Sequence, residues 1–332
     1  MNSPLQGGTM KRRRSRRALT LLVLGLIAAS ATGAGLVVGS EDGDSPTTPS
    51  ASVARPEAKP RPGTSERDEV GPEAPPGISF DGENELSVRF KRPPRAALLF
   101  DVGSGDVLYS RNALRVAPIA SLTKVMTALI VVERIGPRAK TRISKSATRF
   151  RGSGVGVLPR GKKVSVEALL AGMLLPSGND AAVALAEAVS GSDRRFARRM
   201  TRRAQELGLG CTRFVDSYGL RAGNVSCVAD LAALTRLAMR QPRIARIVRR
   251  AHVNVPFPIK GRRLDVSNTN PLLRDGYRGT IGLKTGYTKR AGRCFIAVVR
   301  RGDRTLGAIV LRSPNTRDQA KRLLEAGFRA GA

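Results

Sequence analysis

Aromatic and acidic residues are scarce in this chain of 332 residues. Aromatic residues make up 4% of it, and tryptophan is absent. Because 41% of the residues are hydrophobic, there is enough apolar material for a core, and that core must be mainly aliphatic. Acidic residues number 26 against 58 Lys and Arg, which gives a net charge of +32. This charge favours polyanionic partners such as nucleic acid, anionic lipid head groups or acidic wall polymers, without choosing among them.

The positive charge alone does not predict nucleic-acid binding. The basic residues are not interleaved with aromatic ones, and no nucleic-acid-binding module is recognisable. Residues 1–91 hold only 12 of the basic residues and 11 of the acidic ones, so nearly all of the excess lies in residues 92–332. An Arg-rich compositional bias explains this excess as well as a specific polyanion site does.

Histidine and cysteine are also rare, which limits the chemistry available. A Ser-His-Asp triad would have to use His252, the single histidine, but no motif surrounds it, so we interpret it as a structural or surface residue. Cys211, Cys227 and Cys294 lack metal-type spacing, and the sequence indicates neither a metal site nor a cofactor. In an extracellular domain Cys211 and Cys227 could pair and leave Cys294 as a buried thiol. The alternative is three free thiols.

The N-terminal region has the pattern of a membrane-targeting segment. Residues 1–17 are basic, and residues 18–39 contain no charge and are long enough to span a bilayer. We predict an uncleaved signal anchor. The alternative is a signal peptide cleaved near Ala29-Ser30-Ala31. The positive-inside rule places the rest of the chain outside the cytoplasm, either as a single-pass protein of the cell membrane or, after cleavage, as a secreted one.

Two regions follow the membrane segment. Residues 40–91 are rich in Pro, Ser, Thr, Gly, Glu and Asp without apolar periodicity, and predict a disordered tether. Residues 92–332 predict one folded domain. Strand patterns occur at 96–100, 107–109, 279–287, 294–300 and 305–311, and helical patterns fill the middle and the end of the domain. The predicted fold is α+β: one antiparallel sheet joins the N- and C-terminal strands, with flanking helices and a helical cluster.

The segment Ala120-Ser121-Leu122-Thr123-Lys124 opens a long apolar run and carries the clearest chemical signal. It predicts a buried helix with Ser121 near its N-terminus and Lys124 one turn later on the same face. A serine hydroxyl needs a base to become a nucleophile, and burial or a second cation can keep a lysine neutral enough to act as one. Taken alone, however, a Ser and a Lys three residues apart are common in ordinary helices.

Two further short motifs strengthen this interpretation: Ser177-Gly178-Asn179, predicted on a turn between helices, and Lys284-Thr285-Gly286, predicted on a strand. In this order they match the motif set of penicillin-binding proteins and serine β-lactamases. With Leu174-Leu175-Pro176 before the second motif and Asn268-Thr269-Asn270 before the third, the folded part resembles the D-alanyl-D-alanine carboxypeptidase family. That resemblance implies a β-lactamase or penicillin-binding transpeptidase-like fold.

The resemblance also implies a role for each residue of the three motifs. Ser121 is expected to be the nucleophile, Lys124 its general base and Ser177 a proton relay. The residues expected to bind substrate are Asn179, Lys284, Thr285, Gly286 and Tyr287, the last with its backbone N–H in an oxyanion hole. The expected substrate is a peptidoglycan stem peptide ending in D-Ala-D-Ala, with β-lactams as its mimics. No cofactor is expected. An anionic wall polymer is a further candidate partner.

Three different functions are compatible with the same motifs. The first is a class A β-lactamase, which uses a glutamate between the second and third motifs as its deacylation base. Only Glu187 and Glu206 lie there, both in helical patterns, and neither has an Asn three residues later. The second is a DD-endopeptidase, and the third is a non-catalytic wall-binding protein. One departure from the family is Asn224, which stands where relatives often carry a histidine.

Overall fold

A computed structural model describes residues 74–81, 85–150 and 152–330 of the chain. The helices are α1 Lys124–Arg134, α2 Lys145–Arg149, α3 Val166–Leu174, α4 Asn179–Ser190, α5 Asp193–Glu206, α6 Val228–Arg240, α7 Pro242–Val248, α8 Pro271–Arg274 and α9 Thr316–Ala330, with a 3-10 turn at Ala120–Thr123 before α1. The strands are β1 Ala96–Asp101, β2 Val107–Arg111, β3 Ala117–Pro118, β4 Lys140–Arg142, β5 Lys163–Ser165, β6 Val225–Ser226, β7 His252–Pro256, β8 Arg263–Ser267, β9 Thr280–Thr288, β10 Gly292–Arg301 and β11 Arg304–Ser313.

The main sheet joins the two ends of the folded domain, as the sequence predicts. Its strand order is β2-β1-β11-β10-β9, and all its pairs are antiparallel. β1 pairs with β11 from Ala96 opposite Leu311 to Asp101 opposite Leu306. The predicted α+β class is therefore confirmed.

Both faces of this sheet are buried, which explains its continuous apolar strands. Along β1, Leu98 and Phe100 face the core under the helical cluster, whereas Ala97 and Leu99 face the core under α9. Side chains alternate between the two faces of a strand, so a strand that is covered on both sides has no polar face to present. The helical cluster that includes α1, α3, α4 and α6 lies on one side, and α9 closes the other.

Side-chain caps fix the start of α3 and of α5. Ser165 accepts the backbone N–H of Ala168 at the start of α3. Ser192 caps α5 in the same way by accepting from Arg195. Asn179 differs from the prediction of a turn position because it is the first residue of α4, directly after Gly178.

Part of the predicted tether lies against the domain rather than free of it. Ile78 is buried, Ser79 bridges to Asp106, and the Phe90 ring contacts Tyr109 edge-on at 6.3 Å. Residues on the N-terminal side of the boundary predicted at residue 92 thus contact the folded domain. The predicted membrane segment, residues 18–39, lies outside the described residues. Within the described ranges, no helix has the length and apolarity needed to cross a bilayer.

The cysteines follow the first of the two predicted arrangements. Cys211 and Cys227 form a disulfide, and Cys294 is a buried free thiol. His252 is an exposed residue of β7 whose Nε2 lies 2.6 Å from Asp265 Oδ1, which agrees with its interpretation as a surface residue.

Candidate active site

Three elements bring Ser121, Lys124 and Asn179 together. Ser121 lies in the 3-10 turn, Lys124 begins α1, and Asn179 begins α4. Lys124 Nζ lies 3.0 Å from Ser121 Oγ and 2.6 Å from Asn179 Oδ1. A third oxygen, the backbone carbonyl of Tyr218, accepts from the same nitrogen at 2.5 Å.

This arrangement suits a neutral amine beside the serine. A neutral amine has two N–H groups and one lone pair. If Asn179 Oδ1 and the Tyr218 carbonyl accept the two N–H groups, the lone pair remains for the Ser121 hydroxyl. The serine and lysine are thus placed as nucleophile and base require.

Two lysines without solvent exposure dominate the electrostatics of the site. Lys124 is 0% exposed and Lys284 is 1% exposed. Burial lowers the pKa of Lys124 well below its ordinary value and the positive charge of Lys284 lowers it further, against the opposing effect of Asp216 and Asp180. Burial alone lowers the pKa of Lys284 to about 7.

The strand β9 forms the other wall of the site. A Cβ built on Gly286 would lie 2.9 Å from Ser121 N and 3.2 Å from Ile119 O, so β9 approaches the 3-10 turn as closely as a glycine permits. Lys284 Nζ donates to the Thr285 carbonyl at 2.9 Å. The Thr285 hydroxyl lies 2.7 Å from that of Thr269. Tyr287 is 62% exposed and receives Arg293 over its ring at 5.9 Å.

Ser177 is present but makes no hydrogen bond of its own among the described residues. Its Oγ is buried without a partner, and its backbone has a φ of +71°, an unusual conformation for a residue with a side chain. Ala120, the residue before Ser121, also has a positive φ, +49°. Such strain is found at functional sites, and two of the five non-glycine residues with positive φ in the described part of the chain lie at the first two motifs.

The loop that carries the Tyr218 carbonyl was not predicted from the sequence. The buried Asp216 carboxylate accepts the backbone N–H groups of Tyr218, Gly219 and Arg221 and so fixes this loop. Gly219 has a φ of +90°, and a Cβ there would overlap the Ala120 carbonyl. The sequence does contain Asp216 followed three residues later by Gly219, and this pattern is typical of a turn.

A second missed residue is Asp180, which follows the Ser-Gly-Asn motif. Its carboxylate accepts the backbone N–H of Val155 at 2.7 Å and of Gly156 at 2.9 Å. The Gly-rich segment 152–156 is therefore held at the start of α4.

The chain was also compared with families of known proteins. The family model described as D-alanyl-D-alanine carboxypeptidase matches residues 90–315. The chain belongs to the D-alanyl-D-alanine carboxypeptidase family. Family membership covers the three motifs, the main sheet and the helical cluster, and it agrees with the predicted resemblance.

Individual relatives and solved structures support the same family assignment. The chain is 33% identical over 244 residues to the D-alanyl-D-alanine carboxypeptidase DacF of Bacillus subtilis, over 70% of this chain and 62% of that protein. It is 34% identical over 224 residues to a D-alanyl-D-alanine endopeptidase of Haemophilus influenzae, over 66% of this chain and 75% of that one. The structure of the Streptomyces K15 DD-transpeptidase superposes with a TM-score of 0.69 at 29% identity, over 73% of this chain and all of that one.

Proposed function

We propose that this chain is a serine D-Ala-D-Ala carboxypeptidase that removes the terminal D-alanine from peptidoglycan stem peptides. The observation that carries the proposal is the position of Lys124 Nζ, 3.0 Å from Ser121 Oγ, with its other neighbours being hydrogen-bond acceptors. The names of the family and of its relatives support the substrate class.

The reaction would begin with proton transfer from Ser121 Oγ to neutral Lys124. The oxygen then attacks the carbonyl carbon of the penultimate D-alanine, and the backbone N–H groups of Ser121 and Tyr287 stabilise the oxyanion. The C–N bond breaks as the proton passes, through Ser177, to the departing amine. Water then hydrolyses the Ser121 ester by the reverse proton path.

Substrate binding would use the edge of β9 and the lysine that this strand carries, Lys284. An extended peptide can add to the edge of β9 beside Gly286, where no side chain blocks it. Charged Lys284 attracts the terminal carboxylate, and the Thr285 hydroxyl donates to it. Asn179 holds Lys124 and can donate its amide to the substrate backbone. The same acylation would make Ser121 the target of β-lactams.

A β-lactamase and a DD-endopeptidase differ in how well the site fits them. A class A β-lactamase needs a glutamate near Ser121, but both glutamates between the second and third motifs are bound elsewhere. Glu187 accepts from Ser144 and Ser146, and Glu206 pairs with Arg203. A DD-endopeptidase would use the same residues on a cross-link, and relatives of both names occur.

The test follows D-alanine released from a diacyl-L-Lys-D-Ala-D-Ala tripeptide by the wild type and by Ser121→Ala. We expect release that disappears in the variant. If D-alanine still appears with Ser121→Ala, the nucleophile assignment is wrong. A folded wild type that cleaves only cross-linked peptide would be an endopeptidase, and one that cleaves neither would be a binding protein.

We also propose that residues 18–39 hold the enzyme at the outer face of the cell membrane and that its charge favours anionic wall polymer. The charge pattern of residues 1–39 supports the first part, and the net charge of +32 supports the second. Binding to such polymer should weaken steeply as salt is raised, because salt screens exposed charges.

A further inference from the structure

A groove of about 750 Å³ lies between α3, α7 and the β7 hairpin, and it contains no residue of the Ser121 cluster. Its volume is in the range of ligand-binding pockets, which is roughly 300–1,000 Å³. Neither the motifs nor the proposed reaction gives this groove a role.

The floor of the groove is apolar. It is formed by Ala168 and Ala171 of α3, Ile247 of α7, and Val253 and Phe257 of the β7 region. These side chains belong to the main core, and each is at most 9% exposed. They give the groove an apolar lining at its base, which is the usual lining of a small-ligand site.

The rim of the groove is basic. The lining includes five cationic residues: Lys140, Lys163, Arg246, Arg250 and Arg262. Each of them is exposed, and none has a salt bridge to a carboxylate within residues 74–81, 85–150 and 152–330.

The one carboxylate among the lining residues, Glu167, already forms a salt bridge. Glu167 Oε1 accepts from Arg243 Nε at 2.6 Å, so it does not neutralise the rim. A concave site lined by one sign of charge focuses its field on an incoming ligand of the opposite sign.

We propose that this groove binds a single anionic phospholipid, with the phosphate held by the basic rim and the upper acyl carbons on the apolar floor. A soluble polyanion would use the rim and leave the floor exposed, and a neutral apolar ligand would leave the cations unpaired. An amphiphilic phosphate ester satisfies both parts, because guanidinium and ammonium groups bind phosphate while the floor accepts hydrocarbon.

The test titrates the full chain in neutral detergent with dihexanoyl phosphatidylglycerol and counts lipid adducts by native mass spectrometry. Dihexanoyl phosphatidylcholine and glycerol phosphate serve as comparison probes. The groove variant carries Lys163→Gln, Arg246→Gln and Arg250→Gln. The matched control carries Arg194→Gln, Arg198→Gln and Arg202→Gln, which remove the same charge from the exposed side of α5. Thermal unfolding verifies that both variants fold.

We expect one phosphatidylglycerol per chain, bound more tightly than either comparison probe. The groove variant should weaken this binding roughly a hundredfold, at about one kilocalorie per mole for each basic residue lost, and the control should leave it unchanged. The proposal is wrong if the groove variant binds phosphatidylglycerol as tightly as the wild type. It is also wrong if the groove variant and the control lose the same affinity for this lipid. Glycerol phosphate binding as tightly as the lipid would also overturn it, in favour of a simple anion site.

Discussion

At the level of single residues, two buried lysines would share the chemistry of the proposed site. The pKa of Lys284 is lowered by burial to about 7, and the pKa of Lys124 is lowered by burial and also by Lys284. A charge on Lys284 thus favours the neutral form of Lys124. A base must be neutral and a carboxylate partner must be charged, so the two lysines suit these two proposed roles.

The first prediction concerns the alkaline limb of the pH profile. As the pH rises above about 7, Lys284 loses its charge, and kcat/KM for the tripeptide should fall about tenfold per pH unit. Lys284→Arg keeps a charge at every pH, so its profile should lack this limb even where its maximum is lower. Steady-state rates across the neutral and alkaline range test this, and an identical alkaline limb in the Arg variant would contradict it.

The second prediction concerns Asp216, a positioning residue that acts through Lys124. Its negative charge raises the pKa of Lys124, so Asp216→Asn should lower that pKa further and move the acid limb of β-lactam acylation to lower pH. The variant also loses acceptors for backbone N–H groups, at a cost of about 1–3 kcal/mol in the free energy of unfolding.

The control for this prediction is Asp318→Asn, on the exposed side of α9. Acylation rates measured against pH, together with denaturant unfolding, separate the two effects. A purely structural role of Asp216 would lower stability and leave the acid limb where it is.

At the level of elements, the contact between β9 and the 3-10 turn defines the site. Gly286→Ala would place a Cβ 2.9 Å from Ser121 N, one of the proposed oxyanion donors. Loss of one such donor costs about 100-fold in rate, so acylation should fall by about that factor in a protein that still folds. Gly136→Ala is the matched control, because a Cβ there meets no atom within 4 Å. Fluorescent β-lactam labelling measures both, and normal labelling of Gly286→Ala would refute the close approach.

The long elements were predictable from sequence and the short ones were not. The strands at 96–100, 294–300 and 305–311 and the helices after Ser121 and Asp193 have enough residues for periodicity to show. β3 and β6 have two residues each, and β4 and β5 three each, so no period can be read from them. Their pairing is decided by tertiary contacts.

The proximity of Ser121, Lys124 and Asn179 was predictable, because side chains of the proposed site are recorded in short sequence motifs. The Tyr218 carbonyl was not predictable, because any residue type supplies a backbone oxygen and only the fold decides which one reaches Lys124.

At the level of the whole molecule, the disulfide stabilises the segment that holds this carbonyl. Cys211 and Cys227 are 16 residues apart in sequence and enclose Asp216 and Tyr218. Closing a loop of this length is worth about 3 kcal/mol, so the double variant Cys211→Ser, Cys227→Ser should lose about that much free energy of unfolding. Guanidinium titration of the variant, with Cys294→Ser as control, measures the loss. An unchanged midpoint would contradict it.

The pairing of β1 with β11 has a consequence for biosynthesis. A chain is made from its N-terminus, so Ser121 and Lys124 exist long before Lys284, and β1 must wait for residues 306–311 to complete its pairing. Until then the serine lacks the wall formed by β9 and the lysine lacks the cation that lowers its pKa. We therefore expect the proposed site to become active only after β11 has been synthesised and has paired with β1.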